Sequence, residues 1–314
     1  MARILRRKMG TSAQFRAEYS YGLRNLQPIR LATLDVCTVR IISYGGGVQS
    51  TAMVIMAAKR DPDFEKACGG PIDAAVFSNV GDDSEQPHTL KYVREIIIPW
   101  ADSLGFPVEI VNKTKKDGTE AETLMQKMMK DGSVSFPIPI RIGDGRPALR
   151  ACTVDYKIKV IEKYVRQHGA TKDNKAVVAI GISIDEFQRI ASNRESNYET
   201  KIYPLIDLNM NRADCQAVPE SVGLPRPGKS ACFFCPFHRA MEWSELRRDQ
   251  PELFQKSLEL ENRINEVRKA QDKDPAYLTS RGKPLDQAIG EAQDQLPGFE
   301  SIEEAGCDSG HCFT

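Results

Sequence analysis

Residues 38–51 read TVRIISYGGGVQST, and this segment is the strongest indication of the fold. Its first half is a short run rich in β-branched residues, typical of a strand, and a helical pattern begins at its end. Three consecutive glycines at positions 45–47 join the two halves. Glycine lets the backbone turn its N–H groups towards an anion, and a helix N-terminus attracts negative charge. The segment therefore predicts a phosphate-binding loop.

Strand and helix patterns alternate along most of the chain. The candidate strands are residues 38–43, 74–78, 108–111 and 176–182. The candidate helices are residues 50–59, 86–104, 123–130, 157–167 and 241–269. This alternation predicts an α/β fold with a doubly wound, mostly parallel sheet and helices on both faces. No strand is predicted beyond Tyr203, so a helical C-terminal extension follows the sheet.

Composition limits the classes of function. The chain has 314 residues with 43 basic and 43 acidic side chains, so its net charge provides no argument for binding nucleic acid. Its apolar runs are far shorter than the roughly 20 residues of a membrane-spanning helix. No apolar segment follows the basic start, which predicts a cytoplasmic protein that does not contact membranes. We also expect a homo-oligomer.

Three regions are predicted from the changes in pattern. Residues 1–37 form a basic N-terminal arm, which is either a solvated tail or an arm that contacts phosphates. Residues 38–240 form a nucleotide-binding domain that also carries a cysteine metal site. Residues 241–314 form a helical extension and a polar, cysteine-containing tail.

The glycine loop differs from the common nucleotide-binding motifs. No Gly-Lys-Ser/Thr follows it, as a Walker loop requires, and its glycines are contiguous rather than spaced as in a Rossmann fingerprint. Hydroxyl groups at the start of the helix add hydrogen-bond donors. A glycine-rich turn without a ligand is the alternative. The predicted nucleotide contacts in this segment are Ser43, Gly45, Gly46, Gly47, Gln49, Ser50 and Thr51.

The loop resembles the PP-loop of ATP pyrophosphatases and sulfonucleotide reductases, whose usual form is Ser-Gly-Gly-x-Asp-Ser. Gly46, Gly47 and Ser50 match this form, whereas Gly45 replaces its first Ser and Gln49 its Asp. The Gly-Val-Gln run is similar to the Gly-Ile-Gln of phosphoadenosine phosphosulfate (PAPS) reductases. The resemblance implies an adenine nucleotide alpha hydrolase-like fold of the HUP type. It also implies that the chain binds ATP with Mg²⁺, or a related adenylylated sulfate.

Two further strand ends resemble the same superfamily. Residues 79–83, Asn-Val-Gly-Asp-Asp, are similar to its Asp-Thr-Gly segment, which makes Asn79 a predicted nucleotide contact. After the fourth predicted strand, Gly181, Glu186 and Arg189 match a Gly-x₄-Glu-x₂-Arg pattern of the sulfur-handling branch. Gly181 is therefore a predicted nucleotide contact. Arg189 is a predicted catalytic contact to phosphate or substrate, and Glu186 pairs with it.

The cysteines suggest metal or redox chemistry. Cys232 and Cys235 form a C-x₂-C unit, which can place two thiolates on one metal centre, and Cys152 lies far upstream. This order resembles iron–sulfur adenylyl-sulfate reductases, but Ala151 stands where their first cysteine would be. Three-cysteine [4Fe-4S] clusters with one open iron occur in the PP-loop tRNA thiolation enzymes.

Other interpretations of the cysteines remain open. Cys215, Cys232, Cys235 and His238 form an alternative zinc set, and free thiols are the third interpretation. Arg150 and Lys157 flank Cys152 and are predicted to contact a polyphosphate or the charge of a cluster. The alternative for both is solvated surface charge.

Together these features predict a PP-loop sulfurtransferase. ATP would adenylate an oxygen of the acceptor, and sulfur would then displace AMP at a cluster on the three cysteines. The acceptor could be a base of tRNA or DNA, with a cysteine desulfurase as a candidate sulfur donor. One alternative is a sulfonucleotide reductase that uses a tail thiol. Another is a nucleotide-sensing module with a structural metal.

The tail, residues 306–314, reads GCDSGHCFT. Cys307 and Cys312 are predicted catalytic thiols, because sulfonucleotide reductases carry their attacking thiol on a mobile C-terminal tail. His311 could activate a neighbouring thiolate, while Asp308 opposes it. The alternatives are a frayed terminus and a fourth cluster ligand.

Overall fold

The computed structural model describes residues 39–143, 145–192 and 196–289, without the side chains of residues 191 and 192. The described residues belong to one compact unit. The predicted N-terminal arm and the predicted catalytic thiols, Cys307 and Cys312, lie outside the described residues.

A five-stranded parallel sheet forms the centre of the structure. Its strands are β1 (Arg40–Tyr44), β2 (Ala74–Asn79), β3 (Val108–Asn112), β6 (Ala176–Ile180) and β7 (Glu199–Ile202). Their order in the sheet is β3-β2-β1-β6-β7. In the register, Ile42 of β1 lies opposite Ala75 of β2 and Ala179 of β6. Four of these strands were predicted from sequence, and β7 is additional.

Helices connect and flank the strands. The α-helices are α1 (Val48–Ala58), α2 (Pro62–Ala67), α3 (Pro87–Lys91), α4 (Ile98–Asp102), α5 (Leu124–Met129), α6 (Ala151–Thr153), α7 (Lys159–Gln167), α8 (Pro204–Asp207), α9 (Arg212–Ser221), α10 (Ala240–Asp249), α11 (Pro251–Ala270) and α12 (Leu285–Ala288). Two π-helical segments (Tyr92–Ile97 and Val154–Ile158) and a 3₁₀ segment (Ile184–Ser192) complete the set. Among the described residues, no helix is long and apolar enough to cross a membrane.

Both faces of the sheet are buried, and this accounts for the continuous apolar runs in its strands. Ile42 and Phe77 point to one face, where they share a core with α1. Ile41 and Val178 point to the other face, where they pack with Val165 of α7. Side chains of successive strand residues alternate between the faces. The structure thus confirms the predicted α/β fold with a doubly wound, mostly parallel sheet.

A second, smaller sheet was not predicted. It is built from two-residue strands, β4 (Arg141–Ile142), β5 (Arg146–Pro147) and β8 (Ala276–Tyr277), in the order β5-β4-β8. The prediction that strands stop at Tyr203 is therefore wrong. Strands this short carry no periodic signal, and β8 forms only because β4 offers an antiparallel partner.

The predicted helix 241–269 is two helices. It breaks at Gln250, whose backbone has φ −139° and ψ 61°, because the following Pro251 disfavours a helical conformation before it. Both helices contribute to a third core, in which Trp243 and Phe254 pack with Val80 and Phe233. The C-terminal helices therefore cover the loop after β2 and the C-x₂-C segment.

Candidate functional site

The glycine loop joins β1 to α1 at the carboxyl end of the sheet. Gly47 is the N-cap of α1, and no side chain caps this helix start. Gly46 has φ +76°, and a Cβ atom placed on it would lie 2.8 Å from Cγ2 of Thr89. Both the left-handed backbone and the lack of space therefore require glycine at position 46.

The predicted hydroxyl donors of the loop bind protein groups in this structure. Oγ of Ser50 accepts a hydrogen bond from the Gly45 N–H at 3.3 Å and donates to the Gly47 carbonyl at 3.1 Å. Thr51 is fully buried, and its hydroxyl lies 3.3 Å from that of Tyr44. These two side chains hold the shape of the loop, which leaves its backbone amides other than that of Gly45 as the candidate groups for a ligand.

β6 closes one side of the loop. A Cβ atom on Gly181 would lie 3.0 Å from the backbone nitrogen of Ser50, so glycine is needed for this close approach. Nε2 of Gln49 donates to Oγ of Ser183 at 3.5 Å. Gln49, which stands where a PP-loop has Asp, is thus 6% exposed and directed towards the end of β6.

Ser43 lies at the same end of β1 but on the other face of the sheet. It borders a cavity of about 10 Å³ together with Ile158 and Ile161, and it is 2% exposed. Among the described residues its hydroxyl has no hydrogen-bond partner. The structure separates Ser43 from the side of the sheet on which α1 packs.

Asn79 shapes the loop that follows β2. Its side-chain oxygen accepts a hydrogen bond from the Gly81 N–H at 3.0 Å, and its Nδ2 donates to Asp82 at 2.8 Å. Arg94 donates two hydrogen bonds of 2.8 Å to Asp82, and these bonds lower the pKa of that carboxyl. Asn79 therefore organises this loop and borders a cavity of about 300 Å³ beside it.

The C-x₂-C segment lies against the same loop. Glu85 and Cys232 face each other in an antiparallel bridge. The Gln86 N–H donates to the Ala231 carbonyl at 3.1 Å, and the Phe233 N–H donates to the Ser84 carbonyl at 3.2 Å. This backbone pairing brings together two segments that are far apart in sequence.

The three predicted metal-ligating cysteines meet at this place. Burial raises the pKa of Cys232 well above its usual value, and the charges of Glu85, Cys235 and Cys152 raise it further. The Cys235 N–H donates to the Cys232 carbonyl at 3.1 Å, which closes a tight turn between the two thiols. Cys152 reaches the site from the start of the helical segment that leads into α7.

The described residues do not present a ready-made site for a single metal ion. Among the described residues, no three His, Cys, Asp or Glu side chains are grouped closely enough to hold one metal ion. A single zinc needs its sulfur ligands at about 2.3 Å, whereas the thiolates of a four-iron cluster can bind separate irons and stand further apart.

The alternative zinc set does not come together. Cys215 is fully buried in the core around α1, away from the core that Cys232 contacts. His238 places Nε2 2.8 Å from the Cys232 carbonyl and Nδ1 3.4 Å from Glu242. Both ring nitrogens therefore already face protein acceptors.

Glu85 is a residue of the site that the sequence analysis missed. Its side chain is 1% exposed, and neither carboxylate oxygen has a hydrogen-bond partner among the described residues. Burial raises the pKa of Glu85, while the charge of Lys157 opposes that rise. No local pattern singles out an acid in a loop, and only its pairing with Cys232 identifies it.

Lys157 is buried rather than solvated. Its side chain is 7% exposed, and its Nζ lies 3.9 Å from Oε1 of Glu85. It stands in the π-helical segment Val154–Ile158, a geometry that is frequent at functional sites. The alternative of surface charge is thus wrong for Lys157.

Arg150 and Arg141 lie over one aromatic ring beside the cysteines. Their guanidinium carbons are 5.5 Å and 5.2 Å from the ring centre of Phe237, two residues after Cys235. Burial lowers the pKa of Arg141, and the charge of Cys235 opposes this effect. Nε of Arg150 also donates to Thr153 at 3.2 Å.

Arg189 follows β6 in the 3₁₀ segment and is 6% exposed. Its Nη1 donates to the carboxylate of Glu186, the pairing expected from sequence. Burial raises the pKa of Glu186, while the charge of Arg189 opposes the rise. This buried ion pair lies at the same strand end as Gly181.

A hydrogen bond joins the glycine loop to the segment that carries Cys232 and Cys235, called the cysteine segment from here on. The hydroxyl of Ser230 donates to the carbonyl of Gly45. Ser230 is two residues before Cys232, so the two parts of the site are in direct contact.

No protein-family model matches the chain, and no curated protein matches it. Among solved structures, the chain is similar to the U34-tRNA thiolase NcsA from Methanococcus maripaludis with its [4Fe-4S] cluster. The two share 12% sequence identity at a TM-score of 0.38, and the match covers 82% of this chain and 78% of the thiolase.

Proposed function

We propose that the chain is a PP-loop-type sulfurtransferase that binds ATP, adenylates an oxygen of its acceptor and transfers sulfur at a cluster on Cys152, Cys232 and Cys235. One observation carries this proposal. The backbone pairing of residues 84–86 with residues 231–233 holds Cys232 beside the loop after β2, and Ser230 joins that segment to the glycine loop. Nucleotide and sulfur chemistry would then share one end of the sheet.

The first step is assigned to the glycine loop. Its backbone amides and the N-terminus of α1 would bind the phosphates, since both carry partial positive charge. The acceptor oxygen attacks the α-phosphorus, the bond to the β-phosphate breaks and pyrophosphate leaves. Mg²⁺, when bound to the nucleotide, would share the negative charge of the leaving group. Arg189 is the candidate side-chain contact to phosphate or substrate.

The second step is assigned to the cysteines. Cys152, Cys232 and Cys235 would hold an iron–sulfur cluster, which would supply the sulfide for the transfer. Sulfur then bonds to the activated carbon, the carbon–oxygen bond breaks and AMP leaves with that oxygen. Lys157 would provide a buried positive charge that offsets part of the negative charge of Glu85 and the thiolates, because unpaired charge in the interior is costly.

The surface next to Cys235 supports a nucleic-acid acceptor. The guanidinium groups over Phe237 combine positive charge with an aromatic ring, and unpaired bases stack on such groups in RNA-binding proteins. A tRNA or DNA base is therefore the proposed acceptor, with a sulfur donor such as a cysteine desulfurase.

The test uses anaerobically purified full-length protein. We expect iron and acid-labile sulfide in the wild type, and pyrophosphate release from ATP when unfractionated RNA or DNA is added. Cys152→Ala, Cys232→Ala and Cys235→Ala should each lose the iron. Cys68→Ala is the matched control, because Cys68 is a buried thiol in another core.

Other results would favour the alternatives. Sulfite release from an adenylylated sulfate would identify a reductase. Nucleotide binding without pyrophosphate release would indicate a sensing module. Stoichiometric zinc without acid-labile sulfide would contradict the cluster.

A further inference from the structure

The peptide groups of Gly45 are held by two serine hydroxyls. Oγ of Ser50, within the loop region, accepts from the Gly45 N–H at 3.3 Å. Ser230, from the cysteine segment, donates to the Gly45 carbonyl. One of the two hydrogen bonds that fix the peptide groups of Gly45 thus comes from the loop region itself, and the other comes from a residue 185 positions later.

The hydrogen bond from Ser230 to the Gly45 carbonyl affects how the loop can bind an anion. A run of three glycines has unusual backbone freedom, so its peptide planes can present either N–H or C=O groups to a ligand. A carbonyl directed at a phosphate would repel it. Because the Gly45 carbonyl is bound by Ser230, it is directed towards the cysteine segment. Ser230 is 5% exposed, and its Cβ lies 3.8 Å from where a Cβ on Gly47 would stand.

Residues on both sides of Ser230 make contacts that hold its segment in place. On one side, Lys229 forms hydrogen bonds of 2.7 and 2.8 Å with Glu242. On the other side, residues 231–233 pair with residues 84–86. Removing the hydroxyl would therefore release the Gly45 carbonyl without freeing the cysteine segment.

We infer that Ser230 is a positioning residue that orients the glycine loop for the nucleotide phosphates and couples nucleotide binding to the segment that carries Cys232 and Cys235. The inference rests on the proposed function, because it takes the glycine loop as the nucleotide site. A ligand that tightens the loop would then also slow the motion of the cysteine segment. Such coupling prepares the sulfur site only when the nucleotide is bound.

The test compares Ser230→Ala with Ser230→Thr and Ser244→Ala in the full chain. Ser244 is the matched control, since its hydroxyl donates to a carbonyl at 3.0 Å but lies exposed on α10. The probe is Mg²⁺ with α,β-methylene-ATP, which cannot be cleaved at the α–β bond. Calorimetry should show affinity about tenfold weaker for Ser230→Ala, the effect of one lost hydrogen bond. Ser230→Thr should retain most of the wild-type affinity, and Ser244→Ala all of it.

Hydrogen–deuterium exchange measures the coupling separately. In the wild type, the nucleotide analogue should slow exchange both in the glycine loop and in residues 230–238. In Ser230→Ala saturated with the analogue, slowing should remain in the loop and be lost in residues 230–238. A purely structural role would not remove this ligand-dependent difference.

The outcomes separate the inference from the proposed function. Wild-type affinity in Ser230→Ala, or unchanged slowing in residues 230–238, would overturn the inference while leaving the nucleotide site intact. Failure of the wild-type chain to bind the analogue would overturn the proposed function, and the inference would fall with it.

Discussion

Replacing Gly46 by alanine tests whether the glycine loop is built as its geometry indicates. Gly223 provides a matched control, because it has the same φ of +76° but no atom within 4 Å of the position that a methyl group would take. In both variants the left-handed backbone costs an L-residue about 1–2 kcal/mol. Only at Gly46 would the new methyl also meet Cγ2 of Thr89 at 2.8 Å and Cε2 of Phe77 at 3.3 Å.

Overpacking of this kind costs about 1–3 kcal/mol. We therefore expect urea unfolding to show that Gly46→Ala lowers the free energy of unfolding by about 1–3 kcal/mol more than Gly223→Ala does. The double variant Gly46→Ala/Thr89→Ser lacks the clashing methyl and should recover most of this difference. Affinity for α,β-methylene-ATP should fall at least tenfold in Gly46→Ala and stay unchanged in Gly223→Ala. Equal destabilisation of the two single variants, with no recovery in the double variant, would refute the packing argument.

Two further predictions concern a buried acid and the tail. Burial raises the pKa of Glu199 from 4.5 to about 6, so the folded state holds its proton more tightly than the unfolded state. The contribution of Glu199 to stability should therefore be highest below pH 4.5 and fall by about 2 kcal/mol as the pH rises through 6. Urea unfolding at about pH 4.5 and about pH 7.5 should show that Glu199→Gln removes this fall, and an equal fall in the variant would contradict the assignment. Truncation after Glu304 should abolish turnover while iron is retained if a tail thiol is catalytic. Loss of iron would instead indicate ligation, and survival of both would remove the tail from the chemistry.

The strand–loop–helix units were predictable because their signals are local. β1 is a largely apolar run and α1 is buried along its whole length, so each is recognisable from its own residues, as are the glycines between them. The predicted strands at 74–78 and 108–111 agree closely with β2 and β3 for the same reason.

The missed elements depend on partners that are distant in sequence. β7 is an edge strand with mixed burial, so it lacks the apolar run that identified the inner strands. β8 exists only through its pairing with β4. Pro251 by itself indicates a break before it. The helical pattern of the sequence continues on both sides of the proline, however, and therefore predicts one helix where the structure has two.

The features of the candidate site also fall into those that local sequence indicates and those that depend on the tertiary structure. Residue type and spacing alone identify the candidate residues for the proposed chemistry, namely the contiguous glycines, the C-x₂-C unit and Cys152. Which of them meet depends on the folded chain. The Glu85–Cys232 pairing, the burial of Lys157 against Glu85 and the Ser230–Gly45 hydrogen bond join segments far apart in sequence. Local periodicity reports how a segment packs against its nearest surroundings. Contacts across long loops depend instead on how the whole chain folds, and no short window of sequence contains that information.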